Sequence, residues 1–197
     1  MRARMALSHA NITVEFREIL LSERPDQLYA ASAKGTVPVL EFPEGTVIDE
    51  SFDIMQWALG QVDTDWLDIN LKEQLSMIKV NDKEFKPWLD KYKYHERYLE
   101  QPKEFYQTMC DETLSQYETN LIDKQFLIGN KLQMVDVAIM PFVRQFAHVN
   151  LPYFKETYPR LNGWLESRID SDLFQSIMKK YIQWQPDSPP LIISFKT

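Results

Sequence analysis

Two neighbouring stretches decide how this chain reads: Lys34-Gly35-Thr36-Val37-Pro38-Val39-Leu40, and Val47-Ile48-Asp49-Glu50-Ser51 just beyond it. The first is apolar and β-branched, as a strand should be, yet it carries a proline. Proline cannot donate to a strand ladder, so Pro38 marks an edge, a turn or a special backbone geometry. A cis Val37–Pro38 bond is the sharper of these readings, since an X–Pro bond tolerates it. It would turn the Val37 N–H and C=O outward, where an extended peptide can pair with them as an added strand. Pro43-Glu44-Gly45 reads as a turn, so that residues 36–42 and 46–48 form a hairpin.

Glu50-Ser51 then stands at a helix start. Ser is an ordinary N-cap there, worth ~1 kcal/mol over Ala without any ligand. The same position also suits an anion site, in which free helix amides and the Ser51 hydroxyl receive a carboxylate. Glu50 beside it would receive an ammonium. A carboxylate and an ammonium on one carbon are the head of an α-amino acid. Joined to a backbone slot for an extended peptide, they describe a pocket for γ-glutamyl-cysteinyl-glycine.

Outward from this centre the period of the sequence changes. Ile12, Val14 and Phe16 alternate with Thr13, Glu15 and Arg17, the pattern of a strand with one buried face. Pro25 opens a short helical stretch through Ala33, and Ser51 caps a helix with the stripe Ile54, Trp57 and Ala58. Residues 61–70 are polar and acidic and read as a linker. From Leu71 the spacing is helical: Leu71, Leu75, Ile78, Phe85, Leu89 and Tyr92 with Asp82 as a polar break, then Tyr106, Cys110, Leu114, Tyr117 and Leu121. Met134 to Val149 is apolar nearly all round, as in a buried helix, with a kink expected at Pro141. Pro159 suits a helix first turn, and Ser171 is a good N-cap for one more helix. The tail from Pro186 to Thr197 holds three prolines and is expected to run extended over the surface. The division expected is an α/β unit over 1–60 and an all-helical unit over 71–197.

Composition narrows the function classes. The chain has 197 residues, 44% of them hydrophobic, enough to bury a core. Its net charge of −7 argues against nucleic acid and against an anionic membrane surface as partners. No run approaches the ~18 apolar residues that span a bilayer. The single cysteine, Cys110, excludes an internal disulfide and a multi-thiol zinc site, which fits a reducing cytoplasm. His9, His95 and His148 show no metal spacing. Lys86, Lys91, Lys93 and Arg97 interleave with Trp88, Tyr92, Tyr94 and Tyr98, but Asp90, Glu96 and Glu100 dilute them, and a solvated helix face is the better reading.

The two opening stretches together resemble the glutathione-binding half of the thioredoxin-like domain of the glutathione transferases. Asp136-Val137-Ala138-Ile139 is similar to that family's buried helix in its all-helical domain. The family usually has Ser or Thr three residues before this Asp; here Gln133 stands there. The resemblance covers essentially the whole chain. It implies a thioredoxin-like domain followed by a helical bundle, and a homodimer. Glutathione would be the co-substrate, and an electrophile or a disulfide the second substrate. The implied site is Val37, Pro38, Glu50 and Ser51, with Lys34 assisting the glycyl carboxylate.

Arg2-Ala3-Arg4-Met5-Ala6-Leu7 resembles the middle of the family's first helix, which in bacterial members follows a strand and a Cys-Pro-Tyr type motif. The first strand and the activating Cys, Ser or Tyr would then lie upstream of Met1, in a longer parent. An activating Cys at that helix start would have a pKa in ~3.5–7.5. No residue of the given sequence takes that role: Cys110 falls on an apolar helix stripe, where a buried thiol is inert. Ile12, Val14 and Phe16 would lose a neighbouring strand, each exposed large side chain forgoing about 1.5–3 kcal/mol. A non-catalytic interaction module on the same fold is the alternative function.

Overall fold

In the computed structural model, which describes residues 1–195, the chain forms two compact units. One gathers Met1–Asp63 with the segment from Ser171 onward; the other is Thr64–Asp170. The sequence pattern alone divides the chain at 60 and 71 and leaves the C-terminal segment with the helices.

The first unit opens with α1 (Arg2–His9), which packs against α3 (Ser51–Leu59). Ala3, Met5, Ala6 and Leu7 meet Ile54, Met55, Ala58 and Leu59 in its core, the small alanines letting the two helices approach. Between them come β1 (Val14–Glu15), α2 (Asp26–Ala31), β2 (Leu40–Glu41) and β3 (Val47–Ile48). β2 and β3 form the expected antiparallel hairpin, pairing Leu40 with Ile48 and Glu41 with Val47. Gly45 closes its turn at φ 87°, a left-handed conformation that glycine adopts freely.

The expectation that the Ile12–Phe16 strand lacks a neighbour is corrected. Its short core, β1, pairs antiparallel with β4 (Ile192–Ile193), matching Val14 to Ile193 and Glu15 to Ile192. The tail is extended, as its prolines dictate, but it is a strand of this unit rather than a free surface segment. Phe195 is buried against Phe16, with ring centroids 5.6 Å apart. Ser171 caps α10 (Asp172–Ser176) by accepting from the Phe174 N–H, and α10 packs on α1.

The second unit is helical. Residues 64–70 of the expected linker belong to it: Trp66 is buried within a 3-10 turn, Asp65–Leu67, and Asn70 caps α4 (Leu71–Val80). A π turn, Asn81–Phe85, joins α4 to α5 (Lys86–Lys93). The buried stripe runs Gln74, Ile78, Asn81, Phe85, Leu89 and Tyr92, whereas Leu71 is largely exposed. α6 (Lys103–Asn120) buries Tyr106, Cys110, Leu114 and Tyr117 as its spacing dictates. α7 (Met134–Ala147) passes through Pro141 at the centre of the unit, contacting α4, α5, α8 (Leu151–Thr157) and α9 (Pro159–Ile169). Among the described residues no helix is long and apolar enough to cross a membrane.

Candidate functional site

The hairpin brings the two opening stretches together. Continuing its register past the Leu40–Ile48 pair sets Pro38 across from Glu50 and Val37 across from Ser51. The Val37–Pro38 peptide bond is cis. Val37 is nearly half exposed, and among the described residues no hydrogen bond engages its N–H or carbonyl.

α3 begins at Ser51, with Glu50 as the residue ahead of it. Ser51 is therefore the first helical residue and not the cap, and no side-chain bond caps this helix. The amides of the first turn point along the axis without intrahelical partners, at the positive end of the dipole. The Ser51 hydroxyl has no hydrogen-bond partner among the described residues.

Lys34 reaches this helix start from the loop after α2. Its Nζ donates to Glu50 Oε1 at 2.8 Å and to Asp49 Oδ1 at 3.1 Å. Ser32 Oγ donates to the other Asp49 oxygen at 2.6 Å. Glu50 first, then Asp49, hold the Lys34 ammonium above its ordinary pKa. The Ser32 hydroxyl, and after it Lys34, hold the Asp49 carboxyl below the usual carboxylate range. One lysine thus faces two acidic side chains at the helix start. Gly35, at φ 58°, lets the chain turn back here; a Cβ on it would collide with the Tyr29 ring.

Sequence reasoning named Lys34, Val37, Pro38, Glu50 and Ser51. It missed Ser32, and it gave Asp49 no role although it quoted the residue. The signal for Ser32 was weak, because a lone serine before a glycine turn is common. Lys34, expected to assist a glycyl carboxylate, sits on the two acids at the helix start. Cys110 is fully buried in the helical unit, and burial pushes its thiol far above the ordinary range. Among the described residues no group of three or more His, Cys, Asp or Glu could hold a metal ion.

A hairpin carrying a cis X–Pro bond, the helix that follows it and a separate all-helical unit define a thioredoxin-like domain joined to a helical bundle, the architecture of the glutathione transferases. The family model described as glutathione S-transferase, N-terminal domain, matches residues 1–59, and that described as glutathione S-transferase, C-terminal domain, matches residues 86–167. The chain belongs to the glutathione S-transferase family. Solved structures of similar fold include glutathione S-transferase I bound with lactoylglutathione (17% identity, TM-score 0.69, 88% of this chain and 90% of that one). Gtt2 from Saccharomyces cerevisiae is 21% identical, with a TM-score of 0.66 over 90% of this chain and 94% of its own. A ternary complex of the bacterial transferase BphK is 17% identical, with a TM-score of 0.71 over 89% and 90%. No curated protein sequence matches the chain significantly.

Proposed function

We propose that this glutathione S-transferase-like chain binds glutathione at the start of α3 and serves its conjugation to an electrophile or its exchange with a disulfide. The observation that carries the reading is the Ser51 hydroxyl. It stands at a helix start without capping the helix and without a partner, beside a surplus of one carboxylate. A γ-glutamyl head is complementary to both features: its carboxylate takes the Ser51 hydroxyl and the first amides of α3, and its ammonium takes Glu50. Val37 offers its N–H and carbonyl to the backbone of the cysteinyl residue. As the ligand ammonium settles on Glu50, Lys34 is released toward the glycyl carboxylate. The chain works as a homodimer, an assignment resting on the family resemblance, and in the cytoplasm, which its lone buried cysteine favours.

Calorimetric titration with reduced glutathione tests this. The wild-type chain binds, and Ser51→Ala and Glu50→Gln each weaken binding about tenfold or more, as expected for losing a hydrogen bond to a charged group. Absence of binding by folded wild-type protein would overturn the reading in favour of a non-catalytic interaction module.

A further inference from the structure

The C-terminal segment does more than lend β1 a partner. It continues beside the chain beyond β1: Phe16 N–H donates to Leu191 O at 2.7 Å, and Trp184 N–H donates to Glu18 O at 2.7 Å. Aromatic contacts fasten it. Phe16 lies between Tyr181, at 4.9 Å, and Phe195, and the Arg17 guanidinium sits 5.0 Å from the Trp184 ring centroid. Ser8 Oγ donates to the Phe195 carbonyl at 3.0 Å, tying the far end to α1.

It also shares a cavity with the start of α2. A cavity of about 300 Å³ is lined by Ile19, Pro25 and Gln27 on one side and Gln183, Trp184 and Pro186 on the other. α2 buries none of its own side chains. With only Leu28 and Ala31 half-buried among its apolar side chains, α2 has little packing energy to fix it, so its position depends strongly on what holds its two ends. At the C-terminal end these are buried Ser32, bonded to Asp49, and Lys34, bonded to Asp49 and Glu50. At the N-terminal end they are the strand end fixed by Trp184 and the short turn in which Glu23 N–H donates to Leu20 O.

We infer that residues 181–195 form a strap that positions α2, with Trp184 as the positioning residue, and so sets where Ser32 and Lys34 meet Asp49 and Glu50. Its consequence for ligand affinity rests on the reading of that cluster as the glutathione site. Loosening the strap frees α2 from one end, and Lys34 then no longer sits on the acidic pair in a fixed geometry.

Native-state hydrogen exchange on the whole chain tests the strap without any ligand. In the wild type the amides of Trp184, Ser32 and Gly35 open together, with one opening free energy and one denaturant dependence. Trp184→Pro removes both the N–H and the ring; Ser32 and Gly35 then exchange about tenfold faster or more, while the α6 amides of Leu114 and Tyr117 keep their wild-type rates. Unchanged exchange at Ser32 and Gly35 in the variant overturns the proposal, as does independent opening of Trp184 and α2 in the wild type. The wild-type measurement decides even where the variant fails to fold. A parallel glutathione titration, in which Trp184→Pro weakens binding about tenfold, reads the coupling to the site. Wild-type protein that does not bind removes the glutathione reading and leaves the exchange result standing.

Discussion

A polar cluster in the helical unit and the one at the start of α3 are built on opposite terms. In the helical unit Gln74, Gln133 and Asp136 are fully buried. Gln74 Nε2 donates to Ile69 O at 2.8 Å and contacts Gln133 Oε1 and Trp66 O at 3.1 Å, while its Oε1 accepts from the Val135 N–H. Asp136 accepts from the Leu127 N–H, the Gln133 N–H and Trp164 Nε1, the second of these closing a capping box at the start of α7. At the start of α3 the groups are exposed, charged, and partly without partners. A buried polar group left unpaired costs more than the bond is worth when made, so the first cluster serves stability. An exposed, charged cluster adds little stability.

The comparison predicts its largest effect at Asp136. Asp136→Ala leaves three buried donors without an acceptor and lowers unfolding stability by about 3–5 kcal/mol in a urea titration. A loss below about 1 kcal/mol would remove the distinction between the clusters. Gln74→Leu is of similar size and fills the space, but it removes the partner of the Val135 N–H and of the Ile69 carbonyl. The unpaired Val135 N–H and Ile69 carbonyl are expected to cost about 2–4 kcal/mol in the same assay.

The third prediction concerns pH. Burial pushes the Asp136 carboxyl up to about 6, against the opposing pull of its three hydrogen bonds and Arg168. The folded state therefore binds this proton more readily than the unfolded chain, whose carboxyl titrates near the ordinary 3.8. Asp136 is least unfavourable below the unfolded value, and its contribution falls as pH rises from about 4 to about 6. Above that the full ionisation cost applies, roughly 2–3 kcal/mol. Comparing wild type with Asp136→Asn across this range isolates it, because the asparagine does not titrate. Asp49 and Glu166, whose carboxyls are held below their usual range, work in the opposite direction and cancel in the difference. A wild-type minus variant stability that rises with pH would contradict the burial argument.

How much of this was legible from the sequence differs between the clusters too. The geometry at the start of α3 could be read because its parts are local: a proline at residue 38, a turn five residues later, and Glu-Ser at a helix start. The α6 stripe through Cys110 and the cap at Ser171 were local in the same sense. The helical network was not, since Gln74 and Gln133 lie far apart in the chain and each looks like a surface residue. Once Gln74 is buried, Leu71 rotates outward, and the stripe continues through Asn81 by way of the π turn. No hydrophobic count favours a glutamine over a leucine; only the partners make it cheaper to bury. The β1–β4 pair was hidden for a related reason. Two isoleucines in a proline-rich tail carry no sign of which strand they will meet.

The smallest stability change is expected where the sequence was most informative. If the Ser51 hydroxyl capped α3, Ser51→Ala would cost about 1 kcal/mol. Because Glu50 precedes the helix and the hydroxyl makes no hydrogen bond among the described residues, the substitution is expected to change unfolding stability by less than about 0.5 kcal/mol. The same variant is expected to lose about tenfold or more in glutathione affinity, the signature of a group kept for a ligand. A stability cost near 1 kcal/mol with unaltered glutathione binding would reverse the assignment, making Ser51 a cap after all and moving the anion site elsewhere. Stability and affinity measured on one variant thus separate two roles that a serine at a helix start presents identically in sequence.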